Sequence, residues 1–267
     1  MASAFDHVMD TKHWEILESQ HWHFYLPKVG PFQITKFMIM ELLAAALIFL
    51  IYVPIARRAR TGKPPRGFFW NTFESILTFL REQVAVPNIG RHDADKFVPF
   101  LWTLFLFILF NNLLGMLPFF SAATANISVT GALAVIAFFA IHLGAVFKMG
   151  AGHYVKSFIP HIDAPFAMKL FILPMIVVIE VLGSFIKAFV LAVRLFANMF
   201  AGHMVSAMIL GFIVMARMST LFWPITFGSV FMVTALSCLE LFVAFLQAFI
   251  FVFLTSLFIS SALHPAH

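Results

Sequence analysis

Two mostly apolar stretches, residues 170–216 and 221–263, lie almost end to end in this chain, with only a short turn between them. They are about 47 and 43 residues long. A helix rises about 1.5 Å per residue, so each would reach roughly 60–70 Å, twice the ~30 Å hydrocarbon thickness of a bilayer. Pro174 and Pro224 lie near the starts of the stretches, so neither has an obvious central turn. Each is therefore a tight hairpin or one steeply tilted helix. Glu180, Lys187, Arg194 and His203 in the first, and Glu240 and Gln247 in the second, favour long tilted helices packed against protein.

Composition agrees with a bilayer as solvent. The chain is 62% hydrophobic and 11% charged, and its mean hydropathy is +0.97; a soluble domain is nearer 45–50% apolar and about 25% charged. The apolar runs are continuous instead of alternating every second residue, so helices fit and an outer-membrane barrel does not. The expected fold class is an all-α integral membrane protein with about five crossing helices, the last two long and strongly tilted. The single cysteine, Cys238, excludes an internal disulfide and a multi-cysteine metal site. No cleavable signal peptide is expected, because residues 1–35 are polar and lack a basic start followed by an apolar core. The net charge of +5 comes from basic residues gathered in particular loops and is not a nucleic-acid signal.

Those loops predict the topology. The first apolar run, Phe37 to Ala56, is followed at once by Arg57, Arg58, Arg60, Lys63 and Arg66, with Pro64 and Pro65 breaking the chain. The positive-inside rule puts this loop in the cytoplasm and the N-terminus outside. Residues 68–86 read as an amphipathic helix on the inner membrane surface: Phe69, Phe73, Ile76, Leu77, Leu80 and Val84 share one face, and Asn71, Glu74, Ser75, Thr78, Arg81 and Glu82 take much of the rest. Spans follow at Phe97–Phe120 and Ile127–Phe147. The uncharged link Ser121–Asn126 is expected outside, and the loop with Lys148, Lys156, Lys169 and Asp163 inside. Five crossings leave the C-terminus in the cytoplasm. Residues 1–36 are read as an external polar tail and 37–267 as one membrane domain. Within it, 57–96 forms the basic loop and amphipathic helix, and 170–263 the tilted helix pair.

Arg194 lies some twenty residues from either end of its stretch and stays charged at physiological pH. A charge at bilayer depth costs roughly 2.5–3.5 kcal/mol on insertion scales and by default marks a functional site. Glu180, Lys187 and Arg194 are spaced by seven, which drifts only ~20° per step, so they form one stripe. Asn198, one turn after Arg194, stays near it. On the last segment Glu240 and Gln247 are also seven apart. If the segments run antiparallel, one register sets Arg194 level with Gln247 (positions totalling 441) and His203 level with Glu240 (443). Carboxylates and a histidine at bilayer depth are what proton relays use. A permanent cation then stands between two polar groups, as a barrier between half-paths. His203 lies about 180° around the helix from Arg194, so it uses the other face or the helix distorts at Gly202.

These residues carry a resemblance. The run Ala192-Val-Arg-Leu-Phe-Ala-Asn-Met-Phe-Ala-Gly-His203 resembles the signature of subunit a of the F-type ATP synthase membrane sector. Asn112-Leu-Leu-Gly-Met-Leu-Pro118, Thr124-Ala-Asn-Ile-Ser128 and Leu246-Gln-Ala-Phe-Ile-Phe251 add to it, and the likeness runs from about residue 37 to 263. The resemblance implies a stator proton-channel subunit with two offset half-channels. Arg194 would face the carboxylates of a rotating c-ring, with Gln247 opposite and Asn198 one turn on. His203 and Glu240 would serve the outer path, in the order seen in mitochondrial members. Glu180 would serve the inner path; Lys187 shares its stripe without an assigned role. Implied partners are the c-ring, peripheral-stalk b subunits and the bilayer, with H+ the translocated ion and Na+ the alternative. No cofactor is implied. No Walker-type loop is present, so no nucleotide site is expected here. The implied location is the inner membrane of a bacterium.

Plainer readings stand beside these. Lys187 is either path lining or an ion-pair partner of Glu180. His142 reads as a helix-packing histidine. His21-Trp22-His23 reads as part of an exposed tail, since no further ligands cluster nearby. Gly115, Gly131 and Gly144 read as sites of close helix approach. Two rival classes are a secondary transporter, which would show internal repeats, and a haem-binding cytochrome. The latter would need axial ligands for which only His142 and His203 are candidates.

Overall fold

The structure, a computed structural model, describes residues 13–15, 23–25, 28–29, 32–60, 67–117, 120, 122–152, 154 and 166–263. The membrane helices are α1 (Lys36–Arg60), α4 (Arg91–Gly115), α5 (Ile127–Met149), α6 (Phe166–Ala216) and α7 (Phe222–Leu263). Between α1 and α4 lie α2 (Phe68–Phe79), a π-helical stretch Leu80–Ala85 and the short α3 (Val86–Ile89). The five long helices are apolar enough to cross a membrane. The last two stretches are single helices of 51 and 42 residues, so the hairpin alternative falls away. At 1.5 Å per residue they reach about 76 and 63 Å, which a ~30 Å layer accommodates only by steep tilt.

The boundaries differ informatively from the expected ones. The second span begins six residues earlier than Phe97, at Arg91, because Gly90 (φ +91°) breaks the chain there and the charged turn Arg91–Lys96 joins the helix. It ends at Gly115, where an added Cβ would stand 2.8 Å from the Ala122 backbone. Only a glycine lets the chain fold back that closely. The π-helical stretch precedes Pro87, whose missing N–H and bulky ring disrupt ordinary helical bonding. The segment read as a tail contains two short antiparallel pairings, His13–Glu15 with His23–Tyr25 and Lys28–Val29 with Phe32–Gln33. His21 and Trp22, the loop residues Lys63–Arg66, Pro118, Ser121, Lys156 and Asp163 lie outside the described residues.

α4 is the buried centre of the bundle. Leu101, Phe105 and Ile108 pack with Ala137 and Ile141 of α5, Leu191 and Leu195 of α6, and Phe251, Val252 and Ile259 of α7. The apolar face of α2 packs largely on protein: the Trp102 indole donates to the Leu77 carbonyl (2.9 Å), and Tyr52 meets Phe73 edge-on. Two polar links fix the ends of α4. At its start Asp93 accepts from Lys148, at the end of α5 (2.7 Å), so both belong to one charged end of the bundle. Near its other end Asn112 accepts from Thr124 (2.8 Å) and donates to the Ala244 carbonyl of α7 (3.3 Å). Asn126 then caps α5 by accepting from the Ser128 amide. The motifs around Asn112 and Thr124 therefore meet in space and lock the turn to α7. Gly144 does allow close approach, with the Phe97 ring 2.6 Å from where a Cβ would sit, whereas Gly131 faces open space.

Candidate functional site

α6 and α7 pack antiparallel, joined by the turn at Arg217–Leu221. Their register can be read at one close contact. A Cβ on Gly202 would lie 1.9 Å from Oε1, 2.8 Å from Cδ and 3.1 Å from Cγ of Glu240. Gly202 and Glu240 total 442, between the two values expected from the sequence. At the other end Glu180 lines a cavity together with Ser261 and Ala262 of α7.

The Glu240 carboxylate lies directly on the α6 backbone, in space that exists only because residue 202 has no side chain. Its Oε1 is buried without a hydrogen-bond partner, as is Oγ of Ser206 one turn further along α6. His203, next to Gly202, is half-buried. This polar group sits at the end of the bundle away from the Asp93–Lys148 link, because Met199 packs on Ala122 and Ala125 of the turn before α5. α6 is unbroken through Gly202, so no distortion swings His203 toward Arg194. The two residues use different faces.

Arg194 is exposed and makes no hydrogen bond or ion pair among the described residues. Leu195, fully buried, lies 100° around the helix and marks the side that faces protein. Around Arg194 the open side is apolar: Phe189 and Val190 on α6, and Leu241, Phe242 and Phe245 on α7, are all exposed. Asn198 is half-buried. Gln247 lies within one residue of the Arg194 level but points into the bundle. It is 5% exposed, and its Nε2 is buried without a partner. The sequence placed the pair at one depth; the structure agrees on depth and shows no bond between them.

Toward the charged end is a cavity of about 60 Å³ between α5, α6 and α7. A water needs about 10–15 Å³ of such space, so it can hold a few. Glu180 and Lys187 line it. They form no salt bridge with each other among the described residues; Lys187 Nζ instead lies 5.3 Å from the centre of the Phe258 ring. Ser184 donates to the Glu180 carbonyl (3.1 Å). His142, read from the sequence as a packing residue, also lines this cavity, and its Nδ1 is hydrogen-bonded to the Tyr154 hydroxyl. Burial, and next the Glu180 charge, push the Tyr154 phenol above its ordinary value. His142 does pack, with its ring 4.1 Å from that of Phe138. Depth could have revealed it: His142 is six residues from Lys148 at the charged end, as Glu180 is near that end on α6. His142 and His203 mark opposite ends of the α6–α7 pair. The levels of Glu180 and His203 are about 35 Å apart along α6, so the two histidines cannot ligate one haem.

Comparison with known proteins points the same way. The family described as ATP synthase A chain matches residues 38–260. The chain is 44% identical over 232 residues to ATP synthase subunit a of Anaeromyxobacter dehalogenans (strain 2CP-C), covering 86% of this chain and 58% of that protein. It is 40% identical over 237 residues to the subunit a of Myxococcus xanthus (strain DK1622), covering 88% and 74%. Against ATP synthase subunit a 2 of Prosthecochloris aestuarii (strain DSM 271 / SK 413) it is 36% identical over 268 residues, covering 98% and 79%. The chain thus spans little more than half the length of the Anaeromyxobacter relative.

Proposed function

This chain belongs to the ATP synthase A chain family of multi-pass bacterial membrane proteins, and on that premise we propose that it is the stator channel subunit of the membrane sector. One observation carries the reading. Arg194, unpaired among the described residues, stands on an open apolar face, between two polar sites offset along the same helix pair. The Gly202–Glu240 site is eight residues from Arg194, about 12 Å along α6, and Glu180 is fourteen residues away, about 21 Å on the other side. A cation at membrane depth needs a negative partner. The described residues supply none, and the face around it fits an apolar helical surface bearing a carboxylate. The c-ring is that surface.

The chemistry follows from the offsets. A proton entering from outside reaches Glu240 and His203 and neutralises a ring carboxylate, which can then enter lipid. After most of a ring turn the carboxylate reaches the Glu180 cavity and releases its proton to the cytoplasmic side. Arg194 favours the ionised carboxylate between these points and repels a proton attempting to pass directly. Asn198, one turn from Arg194, and Gln247, near its level but turned into the bundle, are the neutral polar groups around the cation. Lys187 lines the inner path. The driving energy is about 2.3 kcal/mol per charge per 100 mV. The N-terminus lies outside the bacterial inner membrane and the C-terminus in the cytoplasm, and the b subunits of the peripheral stalk hold the chain still. The subunit makes no nucleotide chemistry of its own.

ATP-driven acidification of inverted vesicles tests this reading. Arg194→Ala is expected to abolish pumping while the complex remains assembled. Pumping at the wild-type rate by that variant would refute it.

A further inference from the structure

We propose that His142, oriented by Tyr154, is a proton-relay residue of the inner path, which neither the family signature nor its spacing assigns. The inference rests on the channel reading above and adds to it the step after Glu180. His142 is the imidazole that borders the Glu180 cavity, and that cavity has room for water. Its Nδ1 is hydrogen-bonded to the Tyr154 hydroxyl; with Nδ1–H donating to that oxygen, the ring is oriented and Nε2 keeps the free lone pair that takes up and releases the proton. Six residues, about 9 Å, separate His142 from Lys148, whose bond to Asp93 marks the charged end of the bundle. Of the α5 residues that line the cavity, Ala134, Ala137, Phe138, Ile141 and His142, it is the one nearest that charged end.

The groups facing it can be named element by element. From α6 come the Glu180 carboxyl and the Lys187 ammonium. Tyr154 follows α5. α7 contributes Phe258, Ser261 and Ala262 to the cavity and no charge. In the relay step one proton passes from the Glu180 side, through cavity water, to the neutral imidazole, which becomes imidazolium. One proton then leaves to water on the cytoplasmic side and the neutral ring returns. Tyr154 acts as a positioning residue and keeps its own proton throughout.

The test uses the assembled complex in proteoliposomes. His142→Ala is expected to slow passive proton conduction through the membrane sector at least several-fold. It should also flatten its pH dependence, and imidazole added to the cytoplasmic side should restore conduction. His142→Gln, which keeps bulk and polarity but does not titrate, should show the same loss without rescue; it carries the test if the alanine variant fails to assemble. Tyr154→Phe should alter the pH profile while leaving assembly intact. Wild-type conduction with a wild-type pH profile in the Ala and Gln variants would overturn the relay, and so would a loss in His142→Ala that imidazole does not repair. If Arg194→Ala still abolishes pumping in that case, the relay fails and the channel reading stands.

Discussion

Gly202→Ala tests the geometry of the α6–α7 pair most directly. The new Cβ would fall 1.9 Å from Oε1 and 2.8 Å from Cδ of Glu240. Ordinary contact needs about 3.4 Å, so the carboxylate must retreat by roughly 1.5 Å. The colliding atoms are the mobile end of a side chain, so the helices need not separate. Alanine is also the better helix former by about 1 kcal/mol. Stability should therefore change by no more than about 1 kcal/mol, and the complex should assemble. The cost falls on transport, where a displacement of ~1 Å can lose about 100-fold. The expected result is a loss of about 10- to 100-fold in ATP-driven proton pumping at normal complex abundance. Adding Glu240→Asp, which withdraws the carboxyl by one methylene, should recover part of it. Gly183→Ala and Gly211→Ala, on the same helix but facing open space, should pump normally. Wild-type pumping by Gly202→Ala would show that the position of the Glu240 carboxylate does not matter to ion entry.

Three further outcomes can be checked. Asn112→Ala leaves the Thr124 hydroxyl and the Ala244 carbonyl without their partner; it should cost about 1–3 kcal/mol, seen as a lower thermal inactivation temperature of the purified complex. Gly144→Ala should destabilise by about 1–3 kcal/mol through collision with the Phe97 ring, while Gly131→Ala, in open space, should be neutral or slightly stabilising in the same assay. Asp93→Asn weakens the tie to Lys148 and Lys96 at the charged end; the expected effect is lower abundance of the assembled complex, with the pumping rate per complex retained.

The polar stripe was legible because periodicity is a property of any helix. Residues seven apart share a face wherever the helix lies, so Glu180, Lys187 and Arg194 could be aligned before any fold was known. The antiparallel register was legible for a related reason: a short turn leaves two straight helices one way to match their polar residues. Gly202 against Glu240 bears this out to within one residue. Periodicity did not mark His142 as a site residue, since a lone histidine in an apolar span has no periodic partner on its own helix, and only its depth relative to Lys148 hinted at it. Its companions, Glu180 and Tyr154, come from elsewhere in the chain. Gly131 and Gly144 look alike in sequence, yet only one meets a neighbour.

The sequence by itself determined the solvent, the helical class, the long final pair and the depth of each polar group. Hydrophobicity, helical rise and helical period are local quantities, and they suffice for that. Only the tertiary structure decided which way each helix faces. Lipid tails are as apolar as leucine, so a helix apolar all round carries no signal of its buried side. That side is chosen by close contacts such as Gly115 on Ala122 and by buried links such as Asn112 to Thr124. Those contacts leave Arg194 on the open face, Gln247 inside, and His142 on the wall of the Glu180 cavity.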